Sequence, residues 1–187
     1  MQQTIATLLS ESAALKAKAA GDKPLCAAIE RAAAQLVKTI TSGGTVFSCG
    51  NGGSTCDAMH FTEELVARYK RERPGIKAMH LHDPSTLTCW SNDYSFETAF
   101  ARQVETFCGA NDTVVGFSTS GNSANVIAAV EAAKKRGAAT IGMLGKDGGK
   151  LAKLCDIPLI VPSSATERIQ EVHITIVHIF CELIESR

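Results

Sequence analysis

Apolar residues recur at three- and four-residue steps through Leu25, Ile29, Ala32, Leu36 and Ile40, one stripe of the kind an amphipathic helix buries. The first 42 residues read as helical, with Asp22 and Pro24 marking the start of the striped segment and Gly43-Gly44 ending it. The pattern then shortens. Thr45-Val46-Phe47-Ser48-Cys49 is a brief apolar run that predicts a buried strand, and similar runs at Ala78–Leu81, Thr113–Ser118, Thr140–Leu144 and Ile157–Val161 predict four more. The intervening segments are largely helical in pattern, as in Ala124–Arg136, which ends at Gly137 with three cations in its last turn.

Strands alternating with helices pair in parallel, so the pattern predicts an α/β fold. Its expected form is an open, mostly parallel five-stranded sheet, flavodoxin-like or Rossmann-like, with helices on both faces and N-terminal helices ahead of it. Residues 1–187 read as a single domain, in which 1–42 form the N-terminal helical segment and 43–187 the α/β core. No internal repeat, low-complexity tract or linker interrupts it, and Lys70–Pro74 reads as a short basic loop of solvated surface.

Composition narrows the class of partner. Lysine plus arginine equals aspartate plus glutamate at 19 each, so no net field draws nucleic acid or anionic lipid. The N-terminal stretch has neither the basic nor the apolar region of a signal peptide, and no run approaches the roughly 20 apolar residues of a membrane span. Seven cysteines with no C-x-x-C pair argue against a disulfide framework and a cysteine zinc site, and suit small buried positions in a reducing cytoplasm. A soluble protein with a small-molecule partner is expected.

Two glycine- and serine-rich loops fall at predicted strand ends, where ligands of open α/β sheets bind. In Gly50-Asn51-Gly52-Gly53-Ser54 the glycines let the main chain approach a ligand while a following helix directs free N–H groups at it. The loop matches neither G-x-G-x-x-G nor a P-loop, and an ordinary strand-to-helix turn would have the same look. In Ser118-Thr119-Ser120-Gly121-Asn122-Ser123 the hydroxyls of Ser118, Thr119, Ser120 and Ser123 surround a predicted helix N-terminus. One serine suffices for a cap, so this density favours an anion such as phosphate, held by neutral donors.

Two helical segments carry proton-handling or metal-competent side chains. Asp57, His60 and Glu64 fall within about 60° of one another, beside the apolar face of Ala58, Phe61 and Leu65. Near the end, Gln170 and His178 lie about 80° apart in projection, whereas His173 lies about 140° from His178 and reads as a structural core histidine. A solvated His/Glu pair and a hydrogen-bonded core histidine are the simple alternatives for these positions.

GNGGSTCDAMHFTEELVARY, the Asn92-Asp93 pair in CWSNDYSF, FSTSGNSANV, GKDGGK and ERIQEVHITIVHI together resemble the phosphoheptose isomerases of the SIS (sugar isomerase) domain class, over nearly the whole chain. The resemblance implies conversion of sedoheptulose 7-phosphate to glycero-manno-heptose 7-phosphate, the first step of ADP-heptose supply for lipopolysaccharide or surface glycans. It further implies a cytoplasmic homotetramer whose active sites combine neighbouring subunits. Carried onto matching positions, it implies substrate contacts at Asn51, Gly52, Gly53, Glu64, Asn92, Asp93, Ser118, Thr119, Ser120, Ser123 and Gln170. It implies one zinc per subunit on His60, Glu64, Gln170 and His178. Glu167 stands where close relatives would carry aspartate.

Aldose–ketose interconversion needs a base for a carbon-bound proton and an acid for the carbonyl oxygen, and Glu64 and His178 are the catalytic candidates. Zinc could polarise the carbonyl or tie the helices together, but a coordinated nitrogen has no lone pair left for proton transfer. Two other readings stay open: a non-catalytic SIS-domain regulatory protein of the replication-initiator-associating type, and an isomerase of pentose or hexose phosphates.

Overall fold

Asp22 divides the N-terminal helical segment into α1 (Gln2–Gly21) and α2 (Lys23–Thr41) in the computed structural model, which describes residues 1–186. Its carboxylate accepts a hydrogen bond from Leu25 N at 3.0 Å, and Pro24 occupies the first turn, where its missing N–H costs nothing. Leu25, Ala32 and Leu36 of the stripe are buried, with Ile29 and Ile40 packed at its margin. Helix α1 has no buried residue and packs outside α2 and the C-terminal helix.

The strands are β1 (Val46–Gly50), β2 (Ala78–His80), β3 (Thr113–Ser118), β4 (Ala139–Gly145) and β5 (Ile157–Val161), within one residue of expectation at each end. They form one sheet in the order β2-β1-β3-β4-β5, and every pairing is parallel. The remaining helices are α3 (Gly53–Val66), α4 (Pro84–Asp93), α5 (Ala99–Phe107, entered through a 3-10 turn at Phe96–Thr98), α6 (Ala124–Lys135), α7 (Leu151–Leu154) and α8 (Thr166–Glu185).

Alternation along the strands divides the interior in two. Val46, Val115 and Phe117 join Leu36, Phe61, Ile176 and Phe180 under α2, α3 and α8. Phe47, Cys49 and Val114 join Phe100, Val104, Val126 and Val130 under α5 and α6. Both faces are thus covered, which is why the strands read as continuous apolar runs rather than alternating ones. Cys49, Cys108, Cys155 and Cys181 are buried, while Cys26, Cys56 and Cys89 are exposed, and all seven are free thiols. No helix among the described residues is long and apolar enough to cross a membrane.

The Lys70–Pro74 loop is not simply solvated. Glu185, at the end of α8, accepts hydrogen bonds from the backbone N–H groups of Tyr69 (3.1 Å), Lys70 (3.0 Å) and Arg71 (3.0 Å) and from Arg73 Nε (3.0 Å). A carboxylate 112 residues away in sequence fixes this loop, and local composition carries no trace of it.

His173 is the expected core histidine. It is fully buried on α8, its Nε2 lies 3.0 Å from the Leu144 carbonyl, and burial pushes its pKa down to about 4. The unfolded chain binds a proton near pH 6.5 that the folded protein refuses, so this contribution is intact above that pH and is lost as pH falls towards 4. The effect amounts to roughly 3 kcal/mol across the window. Urea unfolding at pH 7, 5.5 and 4.5 should show the decline, and His173→Gln, which keeps a donor for Leu144, should flatten it.

Candidate active site

From β1 the chain moves outward to β2 and then returns on the other side of β1 to form β3, so a crevice opens where the two connections part. Both glycine- and serine-rich loops lie there. They are stitched together by a reciprocal amide pair: Asn51 Nδ2 donates to Asn125 Oδ1 and Asn125 Nδ2 donates to Asn51 Oδ1, each at 2.8 Å. Asn125 is 3% exposed and also receives Val126 N, so it is a structural keystone of the crevice. Sequence reasoning missed it, although the SGNSAN motif contains it.

In the second loop Ser123 precedes α6 without capping it; its hydroxyl lies 2.9 Å from that of Ser118 instead. The serine cluster is therefore not a capping cluster, and the N-terminal amides of α6 point toward the crevice beside hydroxyl donors. Ser120 Oγ accepts Asn122 N at 3.2 Å, and Gly121 N donates to Ser118 O, closing a tight turn. The GKDGGK segment buttresses this turn: Leu151 N donates to Gly121 O at 3.0 Å and Lys150 N to Asn122 Oδ1 at 3.1 Å. The role of that segment was not legible from spacing.

At the mouth of the first loop, His82 is another residue the sequence did not single out. It is buried, with Nε2 2.9 Å from Gly50 O and 3.2 Å from Gly50 N, and so ties off β1 where the loop begins. Burial holds its pKa below the ordinary histidine value.

Helices α3 and α8 lie side by side in the same direction, because Phe61 and Phe180 pack together and Ser54 meets Gln170 at the start as His60 meets His178 further on. His60 Nε2 lies 3.1 Å from Glu64 Oε1 and 3.4 Å from His178 Nε2, and one ligand atom from each of the three residues falls within 4.8 Å of the others. Donors around a tetrahedral ion with bonds of about 2.0–2.1 Å stand about 3.3 Å apart. The cluster fits a divalent metal. Two imidazole nitrogens facing each other at this distance either share one proton or turn both lone pairs to a cation.

Gln170 stands two turns, about 12 Å along the axis, before His178. Its amide lies against the first loop, 3.3 Å from Ser54 Oγ, and a Cβ on Gly53 would come within 2.7 Å of Nε2. Gln170 is thus seated against the first loop, and His60, Glu64 and His178 come together further along α3 and α8. Asp57 shares the His60 face, and burial pushes its carboxyl up to about 6 against the pull of His60. Asn92 and Asp93 end α4, both exposed and bonded to each other at 2.8 Å. Glu167 is exposed on the first turn of α8, where its charge favours the helix's positive end.

The crevice therefore offers neutral donors for an anion beside a His/Glu/His group able to move protons or hold a cation. The sequence profile of the SIS domain family matches residues 12–145. A phosphoheptose isomerase of Vibrio cholerae serotype O1 is 48% identical over 186 residues, covering 99% of this chain and 97% of that protein. Among solved structures, phosphoheptose isomerase GmhA from Neisseria gonorrhoeae superposes with a TM-score of 0.93 at 39% identity, covering 100% of this chain and 99% of that one. A phosphoheptose isomerase from Francisella tularensis gives 0.94 at 36% identity, covering 100% and 98%.

Proposed function

Since the chain belongs to the phosphoheptose isomerase family of SIS-domain proteins and is an isomerase, we propose that it interconverts sedoheptulose 7-phosphate and glycero-manno-heptose 7-phosphate through an enediol. The observation that carries this reading is the convergence of His60, Glu64 and His178 beside two donor-rich loops. A purely ligand-sensing or regulatory SIS domain has no use for that cluster.

The hydroxyls of Ser118, Thr119, Ser120 and Ser123 and the first amides of α6 would hold the phosphate, fixing the sugar so that its carbonyl end reaches α3 and α8. Such positioning contributes several kcal/mol of barrier reduction, on the order of 7–11 at best. Gly52, Gly53, Asn92, Asp93 and Gln170 would orient hydroxyls, as would the main chain of Asn51, whose amide is already paired. With Glu64 Oε1 engaged by His60, Oε2 is the oxygen left to take the carbon-bound proton, and His178 would protonate the carbonyl oxygen.

Zinc, one per subunit, would be held by His60, Glu64 and His178, with Gln170 as a fourth donor once its amide turned from Ser54, and would supply Lewis acidity at the carbonyl. A ring nitrogen bound to metal carries no proton, so metal content and turnover must be measured on the same preparation.

A homotetramer with sites completed by neighbours is part of the proposal. Helix α4, which bears Asn92 and Asp93, has no buried residue, and Tyr94, Phe96, Met59 and Val66 are 70%, 52%, 42% and 49% exposed. The heptose product would feed lipopolysaccharide or other surface glycans from the cytoplasm, a reducing setting suited to seven free thiols. Incubation of the zinc-loaded protein with sedoheptulose 7-phosphate should yield the aldose by NMR. Absence of product at full metal loading rejects the reading, and turnover only of pentose or hexose phosphates reassigns the substrate.

A further inference from the structure

We infer that Arg73 and Glu185 form a clasp that sets the spacing of α3 against α8 at the proton-transfer cluster, with Tyr69 the positioning residue through which it acts on His178. The inference rests on the proposed roles of Glu64 and His178.

Arg73 grips α3 at its reactive turn. Nη2 donates to the Glu64 carbonyl at 2.8 Å and Nη1 to the Leu65 carbonyl at 2.9 Å, while Nε donates to Glu185 Oε1 at 3.0 Å. Glu185 stands two turns beyond His178 on α8, about 10 Å along the axis. One guanidinium therefore joins the main chain at the proposed base to the helix bearing the proposed acid. The pair is shielded, with side chains 16% and 5% exposed, and the carboxylate is saturated by three backbone N–H groups besides the arginine. Charge-assisted, multiply bonded pairs of this kind hold geometry far better than exposed ones.

The first residue the carboxylate holds is Tyr69, through its backbone N–H. The Tyr69 ring then lies over His178, with centroids 5.8 Å apart and planes 26° apart, while His60 meets the same imidazole edge-on at 5.2 Å and 67°. The Tyr69 hydroxyl reaches Glu182 Oε1 at 3.5 Å, and Lys70 pairs with the same carboxylate, so the ring is fastened at both ends to α8. His178 is thus confined between a flat face and an edge, which limits rotation of its ring. The anion loops sit at the opposite end of both helices and should not feel the clasp.

Arg73→Lys keeps the charge but cannot span Glu64 O, Leu65 O and Glu185 together, and Tyr69→Leu removes the flat face. Each should lower kcat about tenfold with KM within about twofold, and Tyr69→Phe should restore most of the rate. The ring resonances of His178, assigned with a His178→Gln control, should shift or broaden in Arg73→Lys and Tyr69→Leu while those of His173 stay fixed. This NMR readout judges the clasp even where the heptulose phosphate proves not to be the substrate. Unchanged His178 resonances, a KM rising in step with the loss of kcat, or a lowered melting temperature as the sole effect overturns the inference.

Discussion

Glu64→Gln is expected to lower kcat by about 10³-fold while KM changes only a few-fold, within the range seen when a general base is removed. The substitution keeps the size of the side chain and a hydrogen-bonding partner for His60, now 3.1 Å from Oε1, but removes the carboxylate oxygen proposed to accept a proton from carbon. The two donor-rich loops proposed to hold the phosphate are untouched, so substrate affinity should survive. Steady-state kinetics should be joined to solvent deuterium exchange at the reacting carbon, which the enediol route permits and which, where the wild type shows it, the variant should lose. Zinc content must be measured alongside, because the same carboxylate is a proposed ligand. A variant with wild-type turnover and exchange would remove Glu64 from the base role.

Gly121→Ala should be as damaging by a wholly different route. Gly121 has φ +65°, a region that costs a non-glycine residue about 1 kcal/mol, and an added Cβ would lie 1.9 Å from the Gly148 carbonyl oxygen. Backbone on both sides must move, so the loop that carries Ser118, Ser120 and Ser123 cannot keep its turn. The expected result is a loss of roughly 3 kcal/mol in unfolding free energy, at the upper end for single substitutions. In whatever protein remains folded, KM for the sugar phosphate should rise about 100-fold while a metal titration of the His60–Glu64–His178 cluster is unchanged. Normal KM in a stable variant would show that this turn does not hold the phosphate.

The strands, their parallel pairing and both crevice loops were legible because each rests on local signals: a change of hydrophobic period, glycine stops and a density of hydroxyls. So was the face shared by Asp57, His60 and Glu64, since helical spacing alone sets it. What spacing could not give was the partner of each face. The meeting of His60 with His178 depends on α3 and α8 lying in parallel across 118 residues of sequence, a fact of packing. The same holds for Asn125, whose partner Asn51 is 74 residues away, and for Glu185, which gathers a loop more than a hundred residues upstream. Gln170 shows the converse: its position on α8 was plain, but the contact of its amide with Ser54 arises because the first loop comes within reach there.

The amide pair between Asn51 and Asn125 also bears on how long the protein lasts. Asn51-Gly52 is the dipeptide in which a side-chain carboxamide most readily closes onto the next backbone nitrogen, expelling ammonia to give a succinimide that water then opens to aspartate or isoaspartate. Closure requires the Asn51 carboxamide to swing toward Gly52 N, and both of its polar atoms are held at 2.8 Å by a partner that is itself 3% exposed. The same contact that joins the two loops should therefore slow chemical ageing at a position where an extra carboxylate would repel the anion proposed to bind in the crevice.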